Sequence, residues 1–458
     1  MVFACQGARQ VRKSAWSPAN DTVARARTKR HSDRRNRNAT DTHVDGYETS
    51  PGAAAQAEVV AQRLRGDSLP TLFGGNRWRL FRLVLGTGLL TVLTLGIYRF
   101  WQKTRVRRWY WSAIRPGGQP LEYVGDPYEK LLGFLIAVVI LAFYIGIVNL
   151  LLMFASFAVF QGNFAAYLLS FVGVFPIWFY ARYRARRYVL ARTRWRGVRF
   201  GLEPGAWGFA LRALWHGFLA LITLGLLWPR MTFKLEKYRS DRTWYGDHKL
   251  EQGGKWTMLF GALKWHFVVL GLVIVCLLLL GAGLAPLAIT GLAVTGVVAI
   301  FAMVYYRVET LKRLTAQKRL GSIRLTLEAS AFHVFLILFF GYLSTLLVAA
   351  IPTAFLVVLF VELQSLETLT DIGADVPTII ADADKWVLIG LSVMSYFAIF
   401  LVWSALSQAW VILPVTRHYA RGLRIEGAQD LPSVRQRPRD EHMEAEGFAE
   451  ALDVGASL

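Results

Sequence analysis

The residues with the most chemistry to offer are arginines on basic arms. Residues 181–195 (ARYRARRYVLARTRW) contain no Gly or Pro and continue directly out of an apolar run, so they read as a helical stalk crossing the membrane interface. Arg182, Arg186, Arg187 and Arg194 on this stalk, with Arg105 and Arg108 on an earlier arm, are candidate contacts for anionic lipid headgroups. Two roles stay open for them. They snorkel as positive-inside anchors, with Tyr183, Tyr188 and Trp195 at headgroup depth, or they line a cytoplasmic pocket for lipid headgroups or another anionic ligand. A second set is Thr94 with Gly96 and Thr223 with Gly225, in two related Thr-Leu-Gly stretches. Their hydroxyls are candidate hydrogen-bond donors to a ligand and their glycines candidate points of close backbone approach. The competing role is close helix packing.

Other chemistries lack their signatures. The eight histidines are scattered, and no two sit at the spacing of a His-Glu-x-x-His zinc site. There is no Gly-x-x-x-x-Gly-Lys phosphate loop and no Gly-x-Ser-x-Gly nucleophile turn. Cys5 and Cys276 form no disulfide, zinc or redox spacing, and Cys276 reads as a small buried apolar residue. Asp371, Asp375, Asp382 and Asp384 lack the tight spacing of a calcium loop. No enzyme, no metal and no cofactor are therefore expected. The formal net charge of +21 would suit nucleic acid on a water-soluble module. Here the cations lie between apolar runs, so anionic lipid is the expected partner and nucleic acid is not.

The elements that must carry these residues are membrane helices. Uncharged stretches of about 20 residues, enough to cross ~30 Å of hydrocarbon, alternate with short basic ones. Runs 131–155, 164–181, 257–280, 284–306, 334–361 and 386–413 pair into three hairpins, the first two with uncharged tips and the third with an acidic connector. The segments outside the hairpins are rich in Lys and Arg, so both termini are expected on the cytoplasmic side. The spans hold no Asp or Glu near their centres, which argues against a proton antiporter built on a buried carboxylate. Two further runs, 83–97 and 217–228, are short and basic on both flanks. They are re-entrant or interfacial segments, or else full crossings that raise the count from six to eight. The fold class is thus an all-α polytopic membrane protein.

The same stretches repeat at constant offsets. Leu93-Thr94-Leu95-Gly96-Ile97 returns as Ile222-Thr223-Leu224-Gly225-Leu226, and Arg105 and Arg108 return as Lys234 and Lys237. Tyr180, Arg182, Arg194 and Arg199 return as Tyr305, Arg307, Arg319 and Arg324. Such matches predict a duplicated hairpin-plus-arm unit, about 77–205 and 206–328, followed by a third hairpin over 334–413. Residues 1–75 are expected to be a disordered basic leader and 426–458 a polar tail.

Residues 91–101, the Thr-Arg-Trp-Arg-Gly-Val-Arg-Phe text of 193–200, and the second Thr-Leu-Gly together resemble the bacterial YjgN-like inner-membrane proteins. The likeness covers residues 75–425. It departs from the family where Phe100-Trp101 and Trp228-Pro229 replace the usual Pro-Trp, and the leader lies outside it. That family has no established biochemical function. The resemblance implies a multi-pass protein of the bacterial inner membrane and supplies no catalytic residues. The expected function is to bind or move a small solute or lipid. The alternative is a structural or assembly protein whose basic cytoplasmic face binds anionic lipids or partner proteins.

Overall fold

A computed structural model describes residues 68–160, 165–371 and 378–437. Short strands alternate with pairs of helices. β1 (Ser68–Phe73) leads into α1 (Arg77–Leu93) and α2 (Arg99–Ala113), which returns the chain to β2 (Ile114–Pro116). β3 (Leu121–Tyr123) leads through α3 (Pro127–Phe160) and α4 (Ala165–Ala191) to β4 (Thr193–Trp195). β5 (Val198–Leu202), α5 (Ala206–Ile222) and α6 (Trp228–Ser240) end in β6 (Thr243–Tyr245). β7 (His248–Gln252) continues through a 3-10 turn, α7 (Lys264–Gly281) and α8 (Ala285–Ala316) to β8 (Lys318–Leu320). After β9 (Ile323–Leu327) come α9 (Ala331–Asp371) and α10 (Thr378–Leu406). A π-helical turn and α11 (Leu413–Gly422) then lead into β10 (Leu423–Glu426).

The strands form one ten-stranded sheet in the order β2-β1-β10-β9-β8-β7-β6-β5-β4-β3, and its recorded pairings are antiparallel. Laid flat at ~4.8 Å per strand, its two ends would stand roughly 40 Å apart. Instead Ile114 of β2 and Leu121 of β3 line one cavity with Leu320 and Ile323 of β8 and β9, so the sheet is rolled into a barrel-like ring. Its core gathers Trp195, Tyr245, Leu320, Ile323, Ile425, Leu431 and Val434. Each helical pair joins two neighbouring antiparallel strands, and therefore leaves and re-enters on the same rim. Tight turns occupy the opposite rim. The β4–β5 turn places both Arg196 (φ 52°) and Gly197 (φ 79°) in the left-handed region, the requirement of a two-residue type I′ hairpin.

The sheet corrects the all-α expectation. Strands of three to six residues are too short to show a clear alternation, and most of their partners come from distant arms. The ring also shifts two boundaries. The last residues read as leader include β1, and the segment read as tail opens with a strap, residues 427–437, that lies across the barrel with Leu431 and Val434 buried.

Four helical stretches among the described residues are long and apolar enough to cross a membrane: Trp256–Gly281, Ala285–Ala316, Ala331–Val358 and Ile389–Gly422. The turn between the first two is the expected Gly-Ala-Gly, with Gly283 at φ 78°. The acidic connector's residues 372–377 lie outside the described residues, as do residues 1–67 and 438–458. The short runs 83–97 and 217–228 fall on helical hairpins. Each is the ascending limb and tip of a helical hairpin, α1–α2 or α5–α6, that comes back to the strand beside the one it left. A 17-residue helix such as α1 or α5 is about 25 Å long, short of the ~30 Å hydrocarbon layer.

Candidate anion-binding site

The α5–α6 hairpin collects cations into a concavity. In α5, Phe209, Ala210, Ala213 and Ala220 face the interior, while Trp207, Leu211, Trp215, Phe218, Leu221 and Ile222 form an exposed apolar face. Arg212 and His216, one turn apart, flank that face. In α6, Arg230, Lys234 and Lys237 follow at i, i+4 and i+7, while Phe233, Leu235, Glu236 and Tyr238 are buried. The two helices pack against each other. Their polar edges then close on a cavity of about 320 Å³ lined by Arg212, His216, Arg230, Lys234, Lys237, Tyr238, Asp241 and Arg242.

Five cations share this cavity with one carboxylate, and Asp241 is engaged by Lys237 at 3.0 Å. Tyr238 organises the wall. Its hydroxyl donates to the Gly205 carbonyl (2.9 Å), and the guanidinium carbons of Arg242 and Arg212 stand 3.8 and 4.5 Å from its ring centroid. Arg212 Nη1 also donates to the Gly208 carbonyl (2.9 Å), and Lys237 Nζ to the Gln252 carbonyl (2.8 Å). The buried Arg230 Nε has no hydrogen-bond partner among the described residues. Unit charges 4 Å apart interact by ~1 kcal/mol in water and several-fold more at a protein surface, so the chemistry of this collar suits a multivalent anion such as phosphate.

A single buried carboxylate underpins the hairpin. Glu236 accepts from Lys318 Nζ (2.6 Å) and Arg239 Nη2 (2.5 Å). Burial alone would raise its carboxyl, but Lys318, Arg239 and Arg186 together hold it below the usual carboxylate range. Arg182 and Arg186, on the α4 arm beyond its apolar stretch, belong to this cluster. Burial and the nearby Arg239 lower both guanidinium groups from their ordinary value, while Glu236 opposes that shift.

Of the six arginines singled out from sequence, the structure therefore brings Arg182 and Arg186 together, half-buried beside Glu236. Arg187 is buried, its Nε donating to the Leu202 carbonyl at 2.9 Å, because the sheet supplies an acceptor that snorkelling would forgo. Arg194 lies on β4, opposite Arg199, and lines a separate cavity of about 260 Å³ with Glu129, Arg192 and Glu203. Arg105 and Arg108 are exposed on α2. Arg105 lies 5.6 Å from the Tyr98 ring, and Arg108 Nη2 donates to the Gly125 carbonyl at 2.9 Å. Tyr183, Tyr188 and Trp195 are core residues rather than headgroup-level anchors, at 5% exposure or less. Of the five cations that do converge, Lys234 and Lys237 were visible as repeat partners, standing where Arg105 and Arg108 stand in the earlier arm, and nothing local joined them to Arg212, Arg230 and Arg242.

The Thr-Leu-Gly residues occupy hairpin tips. Gly96 N–H donates to the Thr91 carbonyl and Gly225 N–H to the Ala220 carbonyl, both at 2.7 Å, closing the helix ends in the same way. Thr94 Oγ1 donates to the Leu90 carbonyl (2.8 Å) and accepts from Tyr98 N–H (3.0 Å). Thr223 Oγ1 repeats this with Leu219 and Leu227. An added Cβ at Gly96 or Gly225 meets nothing within 4 Å, so positive φ (93° and 87°), rather than close packing, is what favours glycine there. Leu95 and Leu224 also hold positive φ, 50° and 49°, and are 92% and 97% exposed. Among the described residues, no group of His, Cys, Asp and Glu is arranged to hold a metal.

A family model described as a bacterial protein of unknown function (DUF898) matches residues 68–348, well over half of the chain. No curated protein and no solved structure matches it.

Proposed function

The chain belongs to this family of bacterial proteins of unknown function, DUF898, and from that premise we propose that it binds anionic phospholipid headgroups in the α5–α6 pocket. The observation that carries the proposal is the set of five cations, Arg212, Arg230, Lys234, Lys237 and Arg242, directly beside an exposed apolar helix face. A headgroup phosphate fits the first and acyl chains the second, as expected of a re-entrant hairpin at the membrane interface. In this reading the protein is a non-enzymatic, multi-pass plasma-membrane protein with three spanning hairpins, α3–α4, α7–α8 and α9–α10. The barrel and both termini lie on the cytoplasmic side. The matching tips of α1–α2 and α5–α6 support origin from a duplicated unit, and their outward-facing glycines support binding rather than passage of a solute through a Thr-Leu-Gly-lined core.

Protein gently solubilised from its membrane should retain phosphatidylglycerol or cardiolipin in native mass spectrometry. An Arg212→Gln/Arg230→Gln/Lys234→Gln variant should retain at least tenfold less while keeping its unfolding midpoint. Equal retention would remove the proposal. A second experiment addresses depth. Single cysteines at positions 95 and 224 in sealed vesicles should resist a membrane-impermeant maleimide from both sides, yet react with a permeant one. Labelling from the external side would mean full crossings.

A further inference from the structure

The cavity of about 260 Å³ beside Arg194 lies on the outer face of the barrel and shares no lining residue with the α5–α6 pocket. Side chains alternate across a strand, so with Trp195 and Phe200 turned to the core, Arg194 on β4 and Arg199 and Gly201 on β5 face outward. Gly201 stands opposite Trp244 of β6, and a Cβ there would meet nothing within 4 Å, so the missing side chain opens the cavity floor. Polar as well as apolar atoms face this space. Two carboxylates line it, and both are engaged. Glu129 Oε2 accepts from Arg192 Nη2 (2.7 Å) and Nε (3.0 Å). Glu203 Oε1 accepts from Trp244 Nε1–H (2.8 Å) and Lys249 Nζ (3.0 Å). Arg194 and Arg199 face each other directly across β4 and β5, and Arg194 Nε has no hydrogen-bond partner among the described residues. Glu122, opposite Arg194 on β3, is exposed and does not line the cavity. The strap adds a further cation. Arg199 N–H donates to Gln436 Oε1 (2.9 Å), which pins the strap to β5, and the Arg437 guanidinium carbon stands 4.7 Å from the Trp244 ring centroid. Like charges facing across a sheet repel, a cost that a bound anion offsets.

We propose that this cavity binds a small water-borne phosphate monoester through Arg194, Arg199 and Arg437. A phosphate dianion offers three terminal oxygens, and a guanidinium fork pairs with two phosphate oxygens at a time. A monoanionic carboxylate answers a single fork and leaves the other cations facing one another. Gly201 leaves room for the phosphate, and Trp244 gives the ester's carbon body an apolar wall. The ligand comes from water rather than from lipid. Gly246 and the strap close the cavity on the rim away from the helices, and of its lining only Glu129 and Ala191 lie on helices.

The test uses the full-length protein in phosphatidylcholine nanodiscs, with glycerol 3-phosphate, acetate and glycerol as probes. With 5-fluorotryptophan incorporated, the Trp244 resonance, assigned from its loss in Trp244→Phe, should shift saturably with glycerol 3-phosphate. Acetate should bind at least tenfold more weakly, and glycerol should give no shift. Arg194→Gln/Arg437→Gln should weaken glycerol 3-phosphate at least tenfold. Gly201→Val, a strand-compatible change that fills the floor, should abolish the saturable shift at an unchanged unfolding midpoint. The Arg212→Gln/Arg230→Gln/Lys234→Gln variant should keep full affinity at Trp244, which separates this site from the lipid pocket. Any of three results overturns the proposal: no saturable shift, equal affinity in wild type and Arg194→Gln/Arg437→Gln, or a Trp244 shift caused by phosphatidylglycerol nanodiscs alone, which would make the ligand a lipid headgroup.

Discussion

Glu236→Gln is expected to destabilise the protein by about 3–5 kcal/mol, the usual cost of removing one partner from a buried ionic cluster. The carboxylate is the anion that Lys318 and Arg239 both contact directly, and Arg186 and Arg182 lie within its electrostatic reach. Without it, buried cations repel one another where α4, α6 and the β8 end of α8 meet. The pH dependence carries a definite sign. The folded state holds the Glu236 carboxyl below its ordinary value, so the stabilisation is fully present above the unfolded carboxyl pKa of about 4.3. It is lost as pH falls from there through the depressed folded value. Wild type should therefore lose its advantage over the variant on acidification below about pH 4. Unfolding in detergent micelles, read by tryptophan fluorescence against denaturant at pH 7 and again at pH 4 and below, measures both. The control is Glu251→Gln, an exposed carboxylate on β7, which should change stability by less than about 0.5 kcal/mol. A matching loss in the control, or none in Glu236→Gln, would refute the account.

Gly422→Ala is expected to cost about 1–3 kcal/mol although it adds a single methyl group. Gly422 ends α11, where its carbonyl accepts from Glu328 N–H at 2.8 Å just before β10 pairs with β9. A Cβ there collides with the Glu328 carbonyl oxygen and approaches its carbonyl carbon at 2.8 Å. Backbone cannot rotate aside as a side chain can, so the Leu423–Leu327 register would have to shift. Gly271→Ala on α7, where an added Cβ meets nothing within 4 Å, should cause no loss. Thermal unfolding of the two variants side by side checks the difference, and equal midpoints would contradict it.

The helical pairs and the absence of familiar catalytic motifs were legible from residues alone, because apolar length and charge segregation are local properties of the chain. The Gly-Ala-Gly turn and the burial of Cys276, at 4% exposure, were legible for the same reason. The roles of individual arginines were not. Arg187 and Arg182 stand on one stalk with the same surroundings in sequence, yet one donates to the carbonyl of Leu202 and the other joins the Glu236 cluster. Which acceptor a guanidinium finds depends on strands and helices far along the chain.

The tertiary structure also decided which elements the short runs belong to. In residues 83–97 and 217–228, stretches of twelve to fifteen residues leave both a crossing and a turn back open. The sheet fixes the connection. α1 begins after β1 and α2 ends at β2, and neighbouring antiparallel strands share a rim, so the hairpin comes back to the rim it left. Sequence by itself determined that this chain carries membrane-length apolar helices joined to basic arms, through hydropathy and charge, which each residue carries with it. Only the tertiary structure assembled the ten short strands into a ring, the α5–α6 cations into a pocket and Trp195 into the core of the barrel. Each of those depends on pairing between segments that no local pattern connects.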